Sequence, residues 1–197
     1  MVKLILASKS KWRKEIIEMA GLKCESIVSD VEENLEFNNN PDEYVMELSR
    51  LKAKAVSNKV DEGIVISADT IGYMNDEKFE KPKDREEAFR NIKKLSGNIN
   101  YAVTGVTIID KYKNKEITFA EKAAVYFKEM SDEEIDWYID NEENVYDSAG
   151  YSMETRASLF VTKIEGDYKS IVGLPINRIY DELKKFGYNI NDFETVK

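Results

Sequence analysis

The sequence predicts a mixed α/β fold, and three observations carry that expectation. Residues 2–7 and 64–68 are short apolar runs with the length of buried strands. Each is flanked by a stretch whose apolar residues recur with the period of a helix. From residue 99 to 109 and again from 116 to 127 the period changes to two, with β-branched and aromatic residues, as in a pair of paired strands. Strand and helix alternating early, with a hairpin late, describe a mixed sheet flanked by helices.

Taken in order, the first strand leads through Ser8-Lys9-Ser10 into an apolar pattern at Trp12, Ile16, Met19 and Ala20 that stops at Gly21: strand, tight loop and glycine-terminated helix. Asn40-Pro41 opens a second helix, in which Tyr44, Val45, Leu48, Leu51, Ala55 and Val56 make one apolar stripe. Gly63 precedes the strand 64–68, which is expected to end at Asp69. Asp84 caps a third helix, with Glu87 three residues on and Ala88, Phe89, Ile92 and Leu95 inward. The polar segment 111–115 reads as the connection between the two long strands. A capping box from Ser131 to Glu134 starts a fourth helix carrying Ile135, Tyr138 and Ile139. Residues 158–164 and 169–172 read as two more strands about Gly166-Asp167, and Pro175 opens a last helix with Ile176, Ile179, Tyr180 and Leu183 that ends at Gly187. With 3 prolines and 9 glycines scattered and no linker or repeat, residues 1–197 are expected to form one domain.

Composition excludes several chemistries. There is no histidine, which removes His-based triads, imidazole general bases and His zinc sites. The one cysteine, Cys24, closes no intramolecular disulfide, so a reducing compartment, the cytoplasm, is expected. A net charge of -9 works against a nucleic-acid polymer as partner, while a small anion remains feasible where cations are concentrated. No apolar run is long enough for a bilayer, so no membrane partner is expected.

Five places are chemically marked. Ser8, Ser10, Lys11, Arg13 and Lys14 surround the start of the first helix, where unpaired N–H groups favour phosphate; Arg13 lies on the same side as Ile16 and Ile17. The plain alternative is a serine cap with solvated bases. Lys52 falls inside the apolar stripe of the second helix, so its ammonium requires an anionic partner or must snorkel out. Asp69-Thr70 at the end of a strand suits a general base or metal ligand, or equally a turn. Glu32 and Glu33, in an acidic run with Asp30, offer oxygen ligands, and Pro82 fixes the direction of Lys81. Neither a P-loop nor a dinucleotide fingerprint occurs.

In order along the chain, Leu6-Ala7-Ser8-x-Ser10-x-x-Arg13, Asp30-x-x-Glu33, Lys52-Ala53, Ala68-Asp69-Thr70, Lys81-Pro82, Leu95-Ser96-Gly97, Thr104-Gly105-Val106, Ala149-Gly150 and Val172-Gly173-Leu174-Pro175 resemble the Maf (septum formation) family of nucleoside triphosphate pyrophosphatases, from about residue 3 to 186. The resemblance implies a mixed, strongly twisted sheet with flanking helices, elongated and two-lobed around a central cleft, the Maf/ITPase-like architecture. It implies hydrolysis of a nucleoside triphosphate to monophosphate and pyrophosphate with Mg²⁺ or Mn²⁺. Asp69 is the implied proton acceptor and, with Glu33, the metal ligand; Lys52 and Lys81 join Asp69 in the catalytic set. Ser8, Ser10, Trp12, Arg13, Thr70 and Glu154 form the substrate set.

The base stays open. Ser10-Lys11-Trp12-Arg13 and Glu154 resemble the branch acting on 7-methyl-GTP, where Trp12 would stack on the cationic ring, while Asp69-Thr70 resembles the branch acting on dTTP and UTP. A nucleotide-binding regulator of septum formation without turnover is the alternative, and a homodimer is left open.

Overall fold

A computed structural model describes residues 1–146 and 150–196. Seven strands form one mixed sheet in the order β2-β1-β3-β5-β6-β7, with β4 added to the far end of β3. The strands are β1 (Leu4–Leu6), β2 (Cys24–Ser26), β3 (Ile64–Met74), β4 (Glu77–Phe79), β5 (Ile99–Asp110), β6 (Lys115–Phe127) and β7 (Val161–Glu165). β1 runs parallel to β2 and β3, and the remaining pairs are antiparallel.

The helices are α1 (Lys11–Met19), α2 (Pro41–Ser57), α3 (Arg85–Leu95), α4 (Asp132–Asn141), α5 (Tyr168–Val172) and α6 (Ile176–Lys185). Most of their starts are set by the residues the sequence marks. Ser10, Asn40 and Asp84 cap α1, α2 and α3 through side-chain oxygens, and Ser131 with Glu134 makes a complete capping box on α4.

Alternation along β3 divides the packing. Ile64, Ile66 and Ala68 face a core with Ile16, Ile17, Ile179 and Leu183 from α1 and α6, while Val65 and Ile71 face α2. A second large core, with Ala88, Ile92, Ile135 and Tyr138 of α3 and α4, covers the other end of the long strands at Met74, Val125 and Phe127. Helix α2 lies so close to β5 that a Cβ on Gly105 would come within 2.3 Å of the Val45 carbonyl carbon. Only glycine fits there.

Several expectations are corrected. The strand expected to stop at Asp69 continues to Met74, turning at Asn75-Asp76, both with positive φ, into β4. β2 and β4 were unforeseen, because three residues each leave no periodicity to read. The expected strand 169–172 is helical: Asp167 caps it through the Lys169 N–H, and Gly173, at φ +118°, ends it, overriding the β-branched Ile171 and Val172. The expected strand 158–164 begins only at Val161, after a 3₁₀ turn at Arg156–Leu159. In α1 the buried pair is Ile16 and Ile17, and Met19 is 68 % exposed. Ala149, half of the Ala149-Gly150 motif, lies outside the described residues.

Candidate active site

Strand β3 has a gap on one edge. β1 pairs with Ile64 to Ile66 of β3 and β4 with Gly72 to Met74, so residues 67–71 have, among the described residues, a strand neighbour on the β5 side alone. The loop 7–10 leaves β1 beside this gap and delivers the start of α1 to it. Asp69 and Thr70 lie in the gap on opposite faces of the sheet, since successive side chains alternate.

On the α2 face, the Lys52 ammonium donates to Asp69 Oδ1 at 2.6 Å and meets Glu33 Oε1 at 2.9 Å. The anionic partner that the helical wheel demanded is therefore a pair of carboxylates. The Lys52 and Asp69 side chains are 10 % and 13 % exposed, so their charges meet with little water, whereas Glu33 is 51 % exposed. Of the other acids in the run, Asp30 pairs with Lys59 and Glu32 accepts from Asn34, so Glu33 alone turns to Lys52.

On the other face, Arg13 is half-buried and, among the described residues, held by neutral acceptors. Its Nε donates to the Gly173 carbonyl at 3.0 Å, one terminal nitrogen to Thr70 Oγ1 at 3.2 Å and the other to Ser8 Oγ at 3.4 Å. Burial lowers the Arg13 pKa, opposed by the Asp69 and Glu33 charges. A guanidinium has five N–H donors, so two remain for an incoming anion. Ser10 caps α1 by accepting from the Arg13 N–H, and the N–H groups of Lys11 and Trp12 stay at the open helix end.

The remaining residues lie further out. Trp12 is half-buried, with the Lys11 ammonium 5.8 Å from its ring centroid. Lys81 is exposed in the loop between β4 and α3, next to the buried Pro82, and has no ion-pair partner among the described residues. Glu154 accepts from Ser152 Oγ at 3.1 Å and from Tyr168 OH, at the start of α5, at 3.3 Å. Burial and the Glu154 charge raise the Tyr168 pKa. Two residues beyond Glu154, the Arg156 backbone N–H donates to the buried Glu142, which also accepts from the backbone N–H of Asn144. Burial pushes the Glu142 carboxyl up, and the donors from Thr155, Asn144 and Arg156 outweigh it, leaving it below its ordinary value.

Asp69 and Glu33 are the carboxylates that could hold a hard divalent cation. Asp69 and Glu33 present oxygen donors that converge on one ammonium, and among the described residues no group of three or more His, Cys, Asp or Glu is placed to share a metal. Two carboxylates, completed by water and phosphate oxygens, suit Mg²⁺.

Residues 3–186 match the Maf family, described as Maf-like protein. The chain belongs to the Maf family. It is 45% identical over 186 residues to a dTTP/UTP pyrophosphatase of Thermoanaerobacter sp. (strain X514), covering 93% of this chain and 96% of that protein. A dTTP/UTP pyrophosphatase of Bacillus anthracis is 42% identical over 190 residues, covering 96% and 98%. The Ham1 protein of Staphylococcus aureus shares the fold with a TM-score of 0.54 at 14% identity, over 93% of this chain and 99% of that one. The mixed α/β Maf architecture expected from the motifs is thus the one observed. Thr104, Gly173 and Tyr168, which hydrogen-bond the candidate residues Thr70, Arg13 and Glu154, were not singled out from the sequence as site residues. A polar Thr104 alternating with Ala102, Val106 and Ile108 on a core-facing strand was the available signal.

Proposed function

We propose that this Maf protein hydrolyses the nucleoside triphosphates dTTP and UTP to the monophosphate and pyrophosphate, assisted by Mg²⁺ or Mn²⁺. The observation that carries the reading is the half-buried Arg13, whose guanidinium is anchored by three neutral acceptors and, among the described residues, by no carboxylate. Such a charge is completed by an anion, and with the open end of α1 and Ser8 it makes a cradle for phosphate oxygens. The choice of base follows the two relatives named dTTP/UTP pyrophosphatase.

Water adds across the anhydride bond between the α and β phosphates, and pyrophosphate leaves. Lys52 engages Asp69 through Oδ1, which holds the carboxylate oriented to take the proton of the attacking water. Arg13 neutralises charge on the polyphosphate, and Lys81, exposed in the loop between β4 and α3, would approach it from that loop. Asp69 and Glu33 would hold the metal, which supplies Lewis-acid polarisation of the phosphates and of water.

The test is pyrophosphate release from dTTP, UTP, dCTP, ATP, GTP and 7-methyl-GTP with Mg²⁺, Mn²⁺ or EDTA. Release is expected to be fastest with dTTP and UTP and to stop in EDTA. Preference for 7-methyl-GTP would move the base assignment to Trp12 and Glu154. Binding of triphosphates without release from any of them would make the protein a nucleotide-responsive regulator and refute the enzymatic reading.

A further inference from the structure

The direction of the hydrogen bonds behind Arg13 follows from donor counting. Thr104 Oγ1 lies 2.7 Å from the Ser170 carbonyl, which only accepts, so the one hydroxyl proton of Thr104 is committed there. Thr70 Oγ1, 2.8 Å from Thr104 Oγ1, must then be the donor in that contact. Its own proton is spent, and it meets the Arg13 guanidinium at 3.2 Å with lone pairs alone. The chain runs one way, from charged N–H through two hydroxyls to a carbonyl, which is the order in which each bond polarises the next.

We propose that Thr104, 0 % exposed in the middle of β5, is a positioning residue for the phosphate cradle. It fixes Thr70 as an acceptor, and Thr70 in turn aims the guanidinium. Thr70 therefore acts through Arg13 and has no proton to offer a nucleobase. The same chain ties β3 and β5 to α5, whose Ser170 and following Gly173 carbonyls take the Thr104 hydroxyl and the Arg13 Nε–H. This inference rests on the reading of Arg13 as a phosphate anchor.

Thr104→Val keeps the shape and removes the hydroxyl. It leaves no orphan at Ser170, whose carbonyl also accepts the Gly173 N–H at 3.1 Å. The first readout is calorimetric binding of inorganic tripolyphosphate, which carries no base. The second is hydrogen exchange of the Arg13 Nε–H by NMR, assigned with Arg13→Lys, and the third is the split between KM and kcat for UTP. T104V is expected to weaken tripolyphosphate binding about tenfold, to raise KM by the same factor with little change in kcat, and to speed Nε–H exchange. Thr104→Ser should restore all three to within about twofold. Thr70→Val, at a half-buried position, should reproduce the loss, and the double variant T70V/T104V should be no worse than the poorer single one.

Wild-type binding and exchange in T104V and T70V, failure of T104S to restore them, or multiplying losses in the double variant would overturn the proposal. Exchange and tripolyphosphate binding need no turnover. A wild type that binds tripolyphosphate but releases no pyrophosphate therefore defeats the enzymatic reading while these two measurements still decide this one.

Discussion

Replacing Lys52 by methionine keeps a buried apolar stem on α2 and removes the ammonium. The Lys52–Asp69 contact, 2.6 Å with side chains 10 % and 13 % exposed, is the nearly dry part of the cluster, and Glu33, 51 % exposed, keeps most of its hydration. Removing one partner of a buried pair costs about 3–5 kcal/mol, because the other charge stays behind without compensation. The opening of the gap to water places this case at the low end, about 3 kcal/mol, and the exposed Glu33 arm adds less than about 1 kcal/mol. In a chain of this size 1 kcal/mol moves Tm by about 2–4 °C, so K52M should melt about 6–12 °C below the wild type.

The assay is thermal unfolding by circular dichroism at neutral pH for K52M, D69N and the double variant. Because Asp69→Asn discharges the stranded carboxylate, the double variant should be more stable than K52M alone, with a coupling of about 2 kcal/mol. Lys54→Ala, on the exposed face of α2, should stay within about 0.5 kcal/mol. If K52M melts with the wild type, or the two losses simply add, the ammonium does not neutralise Asp69 and the reasoning is refuted.

Three other outcomes are expected. Asp69→Asn should fold normally and lower pyrophosphate release by about 10²-fold or more, the scale of a lost proton acceptor; retained turnover in a folded variant would remove Asp69 from that role. Gly105→Ala places a methyl 2.3 Å from the Val45 backbone, so α2 must shift; a loss of about 3 kcal/mol in urea unfolding is expected, together with reduced turnover, because Lys52 lies two turns along the same helix face. Glu142→Gln sets an amide N–H₂ against backbone donors and should cost about 1–3 kcal/mol near pH 7. The folded Glu142 carboxyl lies below its ordinary value, so its contribution is present above the unfolded carboxyl pKa and is lost as pH falls through the folded one. The gap in Tm between wild type and E142Q should therefore narrow below about pH 4, and a gap independent of pH would contradict that origin.

Local chemistry by itself determined most of the elements. Caps such as Asn40, Asp84 and Ser131, the terminators Gly21 and Gly187, and the period-two runs of β5 and β6 act within a few residues, where sequence and conformation are directly coupled. Lys52 was legible too, because an ammonium on an apolar stripe states its need for an anion without saying which. Naming Asp69 and Glu33 as those anions, 17 and 19 positions away, required the fold.

The gap in β3 was likewise invisible, since it arises where the three-residue strands β1 and β4 stop short of each other along a longer neighbour. α5 was misread because a five-residue helix carries too few turns to show a period, and its caps Asp167 and Gly173 decide against Ile171 and Val172. The split of Asp69 and Thr70 to opposite faces, and the chain from Arg13 to Ser170, depend on pairing Thr70 with Thr104 across 34 positions. Register between distant strands is set by the burial of whole faces at once, which no local window of sequence contains.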